Sequence, residues 1–228
     1  MIRMDRLLIV LLACLTFVSY SASAAIISFD DGANPNQDGT LSYDGDGGVL
    51  TGDGIDFFTI IGEDTPLNNN TTLTCVDCVL NFVTGNNISE PTGSSPVWVF
   101  SGPGELFITG TVMDGATTIV DDDLLVSGTF SQATVSGSEP GAVLIFSGIG
   151  GDSKHDNLID FFGLSNPFTF ASTDISIGNA NFLENGGFNG TVTNADFDNI
   201  SIVPVPAAVW LFGSGLLGLV GIARRKAA

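Results

Sequence analysis

From residue 25 to residue 203 the chain alternates between two textures. Short apolar or alternating runs at 25–29, 55–61, 73–83, 97–100, 106–112, 124–135, 142–149, 168–177 and 190–203 are separated by clusters of Gly, Asn, Asp and Pro. Runs of that length punctuated by turn residues predict an all-β fold, an antiparallel β-sandwich of the jelly-roll or immunoglobulin-like kind. Two runs show the period directly. Leu106, Ile108 and Val112 share a face opposite Phe107, Thr109 and Thr111, while Leu124, Val126 and Phe130 oppose Ser127, Thr129 and Ser131. Side chains two apart on a strand point the same way, so one face of each run is core and the other is wet.

The stretch Val97-Trp98-Val99-Phe100-Ser101-Gly102 is echoed by Val143-Leu144-Ile145-Phe146-Ser147-Gly148, which predicts two equivalent strands. Two copies are too few for a solenoid. One segment, 156–164, has a helical look: Leu158, Phe161 and Phe162 form a stripe after an Asp cap, and a short helix is expected there.

The charge is lopsided, with 25 Asp and Glu against 6 Lys and Arg, a formal net charge of −19. Arg3, Arg6, Arg224, Arg225 and Lys226 lie in the terminal segments, which leaves Lys154 as the one fixed cation between them. An acidic body of this kind repels nucleic acid and anionic lipid, so neither is expected to partner it. Its Phe, Ile, Leu and Val content argues against disorder, and 25–202 is long enough to bury one core.

Both ends read as export signals. Arg3 and Arg6 precede the apolar stretch 7–18, and Ala22-Ser23-Ala24 supplies the small residues of a cleavage site, so 1–24 is expected to be a secretory signal peptide cut after Ala24. Leu11-Leu12-Ala13-Cys14 fits a lipoprotein box poorly, because 15–18 stays apolar. At the other end, Val203-Pro204-Val205-Pro206 holds the chain extended. Residues 207–223 are apolar except for Ser214, and as a helix they would span about 25 Å, near the lower limit for crossing the hydrocarbon layer. Arg224-Arg225-Lys226 then marks the cytoplasmic end.

Motif, apolar helix and basic cluster together, from Val203 to Lys226, closely resemble the PEP-CTERM sorting signal in the variant that reads Val-Pro-Leu-Pro-Ala. Val205 stands where the commonest form of that signal has glutamate. The resemblance implies a substrate of an exosortase, a membrane-embedded transpeptidase-like enzyme of Gram-negative bacteria that make exopolysaccharide. Val203, Pro204, Val205, Pro206 and Ala207 would then be the sorting motif, Arg224, Arg225 and Lys226 the basic stop, and Ala22 and Ala24 the signal-cleavage residues. The implied route runs through the inner membrane, with transient anchoring by 207–223, to the cell surface or biofilm matrix. Signal peptidase and exosortase would be the processing partners, and exopolysaccharide a candidate partner of the mature protein.

Candidate chemistry in the body is sparse. Cys75-Val76-Asp77-Cys78 can close a small disulfide, exchange electrons or supply half a zinc site. Zinc would need two further ligands, and the exported chain has no other cysteine and the single histidine His155. A disulfide at a strand turn is the expectation. Asp44, Asp46, Asp53 and Asp56 lie in glycine-rich loops that could gather oxygen ligands around calcium, as could 121–123, although no EF-hand pattern is complete. No other cofactor is expected. His155, with Ser153, Asp156 and Asp160 nearby, is the only base available to a nucleophile, and it reads as part of a polar loop. The chain is therefore expected to be a structural or adhesive protein and no enzyme. Alternatives are a carbohydrate-binding module built on exposed rings such as Trp98 and Tyr43, and an extracellular hydrolase.

Overall fold

A computed structural model describes residues 24–32, 38–89, 96–138, 141–147 and 150–201. The sorting motif, the apolar segment 207–223, the basic stop and all of the expected signal peptide before Ala24 lie outside the described residues. Among those described, no helix is long and apolar enough to cross a membrane.

Ten antiparallel strands carry the body: β1 (Ile26–Asp30), β2 (Thr40–Tyr43), β3 (Val49–Glu63), β4 (Thr72–Asn86), β5 (Val97–Asp114), β6 (Thr117–Ser138), β7 (Gly141–Ser147), β8 (Gly151–Lys154), β9 (Phe168–Phe182) and β10 (Phe188–Ser201). The expected all-β, antiparallel character is thus present. β3 to β6 are successive hairpin partners. The far edge of β6 carries β7 and then β8, and both also pair with β9. β9 pairs with β10, whose far edge carries β1 and β2, and these pair in turn with β3. The ladder closes on itself. Ten strands fill eight positions, because β1 with β2 and β7 with β8 each share one. Positions follow chain order round the ring, an up-and-down path without the Greek-key crossing of a jelly-roll or immunoglobulin-like sandwich. Among the described residues closure leaves no long unpaired edge to recruit another chain.

The interior is filled by side chains from opposite walls. Tyr43 on β2 meets Phe100 on β5 with ring centroids 5.0 Å apart, and Trp98 on β5 lies 4.8 Å from Phe188 on β10. Trp98 also stacks on Phe182 at 5.7 Å, and its Nε1 donates to the Gly186 carbonyl at 2.8 Å. Fully buried rings of this kind each stabilise the fold by roughly 2–3 kcal/mol. Trp98 and Tyr43 are buried, so neither is one of the exposed rings that the carbohydrate-binding alternative would use.

Two local features differ from the sequence pattern. In β6, Leu124 is exposed and Leu125 is buried beside Val126. The register against β5 slips between Ile108 and Thr109, so Leu125 is the extra residue of a bulge and reverses the in–out parity on its N-terminal side. The helix α1 (Asp156–Phe162) is capped by His155, whose Nδ1 accepts from the Asn157 backbone N–H at 3.1 Å, where an Asp cap was expected. It buries Leu158, Ile159 and Phe162, and Gly163 ends it in the left-handed conformation at φ 71°.

Candidate functional site

The strand β8 has the sequence Gly-Asp-Ser-Lys and alternates in burial, so Asp152 and Lys154 share the inward face while Ser153 points out. Both side chains are fully enclosed. The Nζ of Lys154 lies 2.5 Å from Oδ1 of Asp152 and 2.9 Å from Oδ1 of Asn199, which reaches in from β10 on the far side of β9. Nδ2 of Asn199 donates to the other carboxylate oxygen of Asp152, which closes a three-membered ring of contacts. The ammonium end sits 4.2 Å from the ring centroid of Phe168 on β9. Asn166 holds the backbone in place: its Oδ1 accepts from the Lys154 N–H at 2.7 Å, and its Nδ2 donates to the Lys154 carbonyl at 2.8 Å.

Burying a carboxylate and an ammonium costs more than their attraction returns unless the remaining polar atoms are also paired. Asn199 supplies that pairing, with one donor and one acceptor. Burial pushes the Lys154 amine down from 10.5 to about 8, against the attraction of Asp152. Burial also pushes the Asp152 carboxyl up, against the pull of Lys154 and of its hydrogen bonds. Both shifts move the shared proton the same way, toward an uncharged amine beside an uncharged acid. Burial therefore raises the share of unprotonated amine above that of a free lysine. The cluster therefore holds a nucleophilic amine, a carboxamide and an acid in contact with both, sealed from water.

Reading the sequence leaves Lys154 as a solitary cation without a place and selects neither Asp152 nor Asn199. The signal available was the Asp-x-Lys spacing, which on a strand puts both groups on one face.

The residues selected from the sequence are distributed elsewhere. Cys75 and Cys78 are joined by a disulfide with a Cα–Cα distance of 5.6 Å, inside β4 and not at a turn between strands. Asp77 between them has φ 52°, and the register against β5 slips from Val76 to Val79, so the bridge clasps a bulge. Asp44 and Asp46 belong to the turn between β2 and β3, and Asp53 and Asp56 lie on β3. These four do not form a metal-spaced group with one another. Among the described residues such a group is made by Asp30, Asp31 and Asp196, whose carboxylate oxygens lie within 4.8 Å of one another where the shared β1/β2 position is interrupted. Burial, opposed by the hydrogen bond from Ala195 and reinforced by Asp196 and Asp30, raises the Asp31 carboxyl above its ordinary value. Burial and the neighbouring carboxylates do the same to Asp196, against its hydrogen bond from Asn194. His155 is occupied at Nδ1 by the helix cap, and its Nε2 lies 3.5 Å from Oδ2 of Asp123 on β6.

Residues 25 and 201, near the two ends of the described body, meet at one point. The Ser201 N–H donates to the Ala25 carbonyl at 2.8 Å, and the Ala25 N–H donates to Oγ of Ser201 at 3.0 Å.

No protein-family model, curated protein or solved structure matches this chain.

Proposed function

We propose that this chain is an exported protein of the surface or biofilm matrix of a Gram-negative bacterium, with a structural or adhesive body and no catalytic turnover. Its ring of strands is read as a flattened β-sandwich, two halves packed face to face through contacts such as Tyr43 to Phe100. The observation that carries the reading is the clasp between Ala25 and Ser201. It joins the first residue left by signal cleavage to the last strand before the sorting motif, so force or traffic through the tail enters a hydrogen-bonded strand pair and not a loose end. The disulfide within β4 suits an oxidising compartment.

In this reading signal peptidase removes 1–24, the segment 207–223 anchors the chain briefly, and an exosortase acts at Val203 to Ala207. Exopolysaccharide of the producing cell is the partner to test first. An epitope inserted in the exposed turn at Gly115-Ala116 of the β5–β6 hairpin gives the experiment. On intact cells of an exosortase-bearing Gram-negative host it should be reached by antibody and removed by added protease. Signal confined to the cytoplasm would sink the proposal.

A further inference from the structure

We propose that Lys154 and Asn199 become joined by an isopeptide bond that the folded body forms by itself, with Asp152 as the proton carrier. The inference concerns the body alone and stands whether or not the tail is sorted.

The Lys154 Nζ lies 2.9 Å from Oδ1 of Asn199, so the carbon it would attack, one carbonyl bond beyond that oxygen, is no more than about 4 Å away. Side chains held at that separation react as though at very high concentration, because the entropy of bringing them together has been spent in folding. Asp152 touches both nitrogens, Nζ through Oδ1 and Nδ2 of Asn199 through Oδ2. Among the described residues it is the one group placed to take a proton from the first and hand it to the second.

The step balances without a co-reactant. The unprotonated amine of Lys154 attacks Cγ of Asn199 and a carbon–nitrogen bond forms. The proton released from Nζ passes through the Asp152 carboxyl to Nδ2, the bond from Cγ to Nδ2 breaks, and ammonia leaves. An amine and a primary amide become a secondary amide and ammonia, nothing is oxidised or reduced, and Asp152 ends in the protonation state in which it began. Burial helps at two points. It lowers the amine toward about 8 and so supplies the nucleophile, and it keeps out the water that would compete for the carbonyl. The product would tie β8 to β10 across β9, a covalent strut inside the ring and a further reason for the body's sole lysine to lie in its core.

The sequence provides an unusually direct test. Lys154 is the only Lys or Arg between Arg6 and Arg224, so trypsin has one site in the whole body. The full chain is purified, reduced, alkylated and denatured, then digested and weighed. The expected result is no cut after Lys154, a body fragment lighter than its sequence by one ammonia, and, after cleavage at acidic residues, a branched peptide carrying Lys154 and Asn199. A cut at Lys154 that yields two pieces of full sequence mass overturns the proposal. So does an ammonia loss that maps elsewhere while Lys154 is cut. The Asp152→Asn chain should regain both the trypsin cut and the missing ammonia; if it still carries the branched peptide, Asp152 is not the carrier and that part is overturned. The wild-type measurement needs no variant to fold.

Discussion

Gly110 stands against the back of Cys78. A Cβ added at Gly110 would lie 2.7 Å from both the Cα and the Sγ of Cys78, and the residue holds φ at +152°. The bulge that the disulfide closes in β4 is thus possible because its partner strand offers a position with no side chain. Gly110→Ala should destabilise the body by about 2–4 kcal/mol through overpacking and backbone strain together. Urea denaturation reads this as a lower midpoint at unchanged slope. A variant as stable as the wild type would show that β4 and β5 can part at no cost.

The bulge in β6 makes two neighbouring leucines unequal. Leu125 is fully buried and Leu124 is 43% exposed. Leu125→Ala should cost about 2–5 kcal/mol, and Leu124→Ala should stay within about 0.5 kcal/mol of wild type. Equal effects, or the reverse order, would contradict the register assigned between β5 and β6.

His155 is a capping residue of α1, and this gives it a measurable structural role. His155→Ala should cost about 1 kcal/mol by leaving the Asn157 N–H without its acceptor, and His155→Asn should recover most of that loss. Thermal unfolding of the two variants checks the order. Equal stability of the Ala variant and wild type would mean that the cap contributes nothing.

The acidic trio predicts the direction of the pH response. Asp31 and Asp196 have folded values raised above the ordinary 3.8, so the native state holds their protons more tightly than the unfolded chain does. For acids shifted this way stability is gained as pH falls from neutrality through the raised values toward about 4, and is lost as pH rises through the same window. The melting temperature should therefore climb on mild acidification at fixed ionic strength. Asp196→Asn should raise it at pH 7 by about 1–2 °C, the modest effect of removing one partly exposed like charge, and should flatten the climb. A melting temperature that falls over this range would contradict the assignment.

Much of the fold was legible because most strands are long and alternate. The echo of 97–102 in 143–148 corresponds to a real equivalence: β5 and β7 flank β6 in the same register, with Val97 and Val143 both opposite Ser136, and Phe100 and Phe146 both opposite Ala133. The runs 97–100 and 106–112 read as separate strands because Gly102-Pro103 interrupts them, yet the pairing resumes at Gly104 after one slip and β5 is continuous. β2 and β8 were not legible. Each has four residues, too few to display a period, and the inward residues of β8 are Asp152 and Lys154, so a buried strand looks like a polar loop. The cluster was hidden for the same reason. A hydrophobic pattern marks burial only when what is buried is apolar, and closure of the ring, which brings Asn199 to Lys154, is a property of pairings distant in the chain.

That the tail sorts an exported body is tested most directly by the intact mass of the protein recovered from cells with and without an active exosortase. Residues 207–228 should be missing when the enzyme is active and present when it is absent, with 1–24 removed in both. Retention of 207–228 in both strains would contradict it.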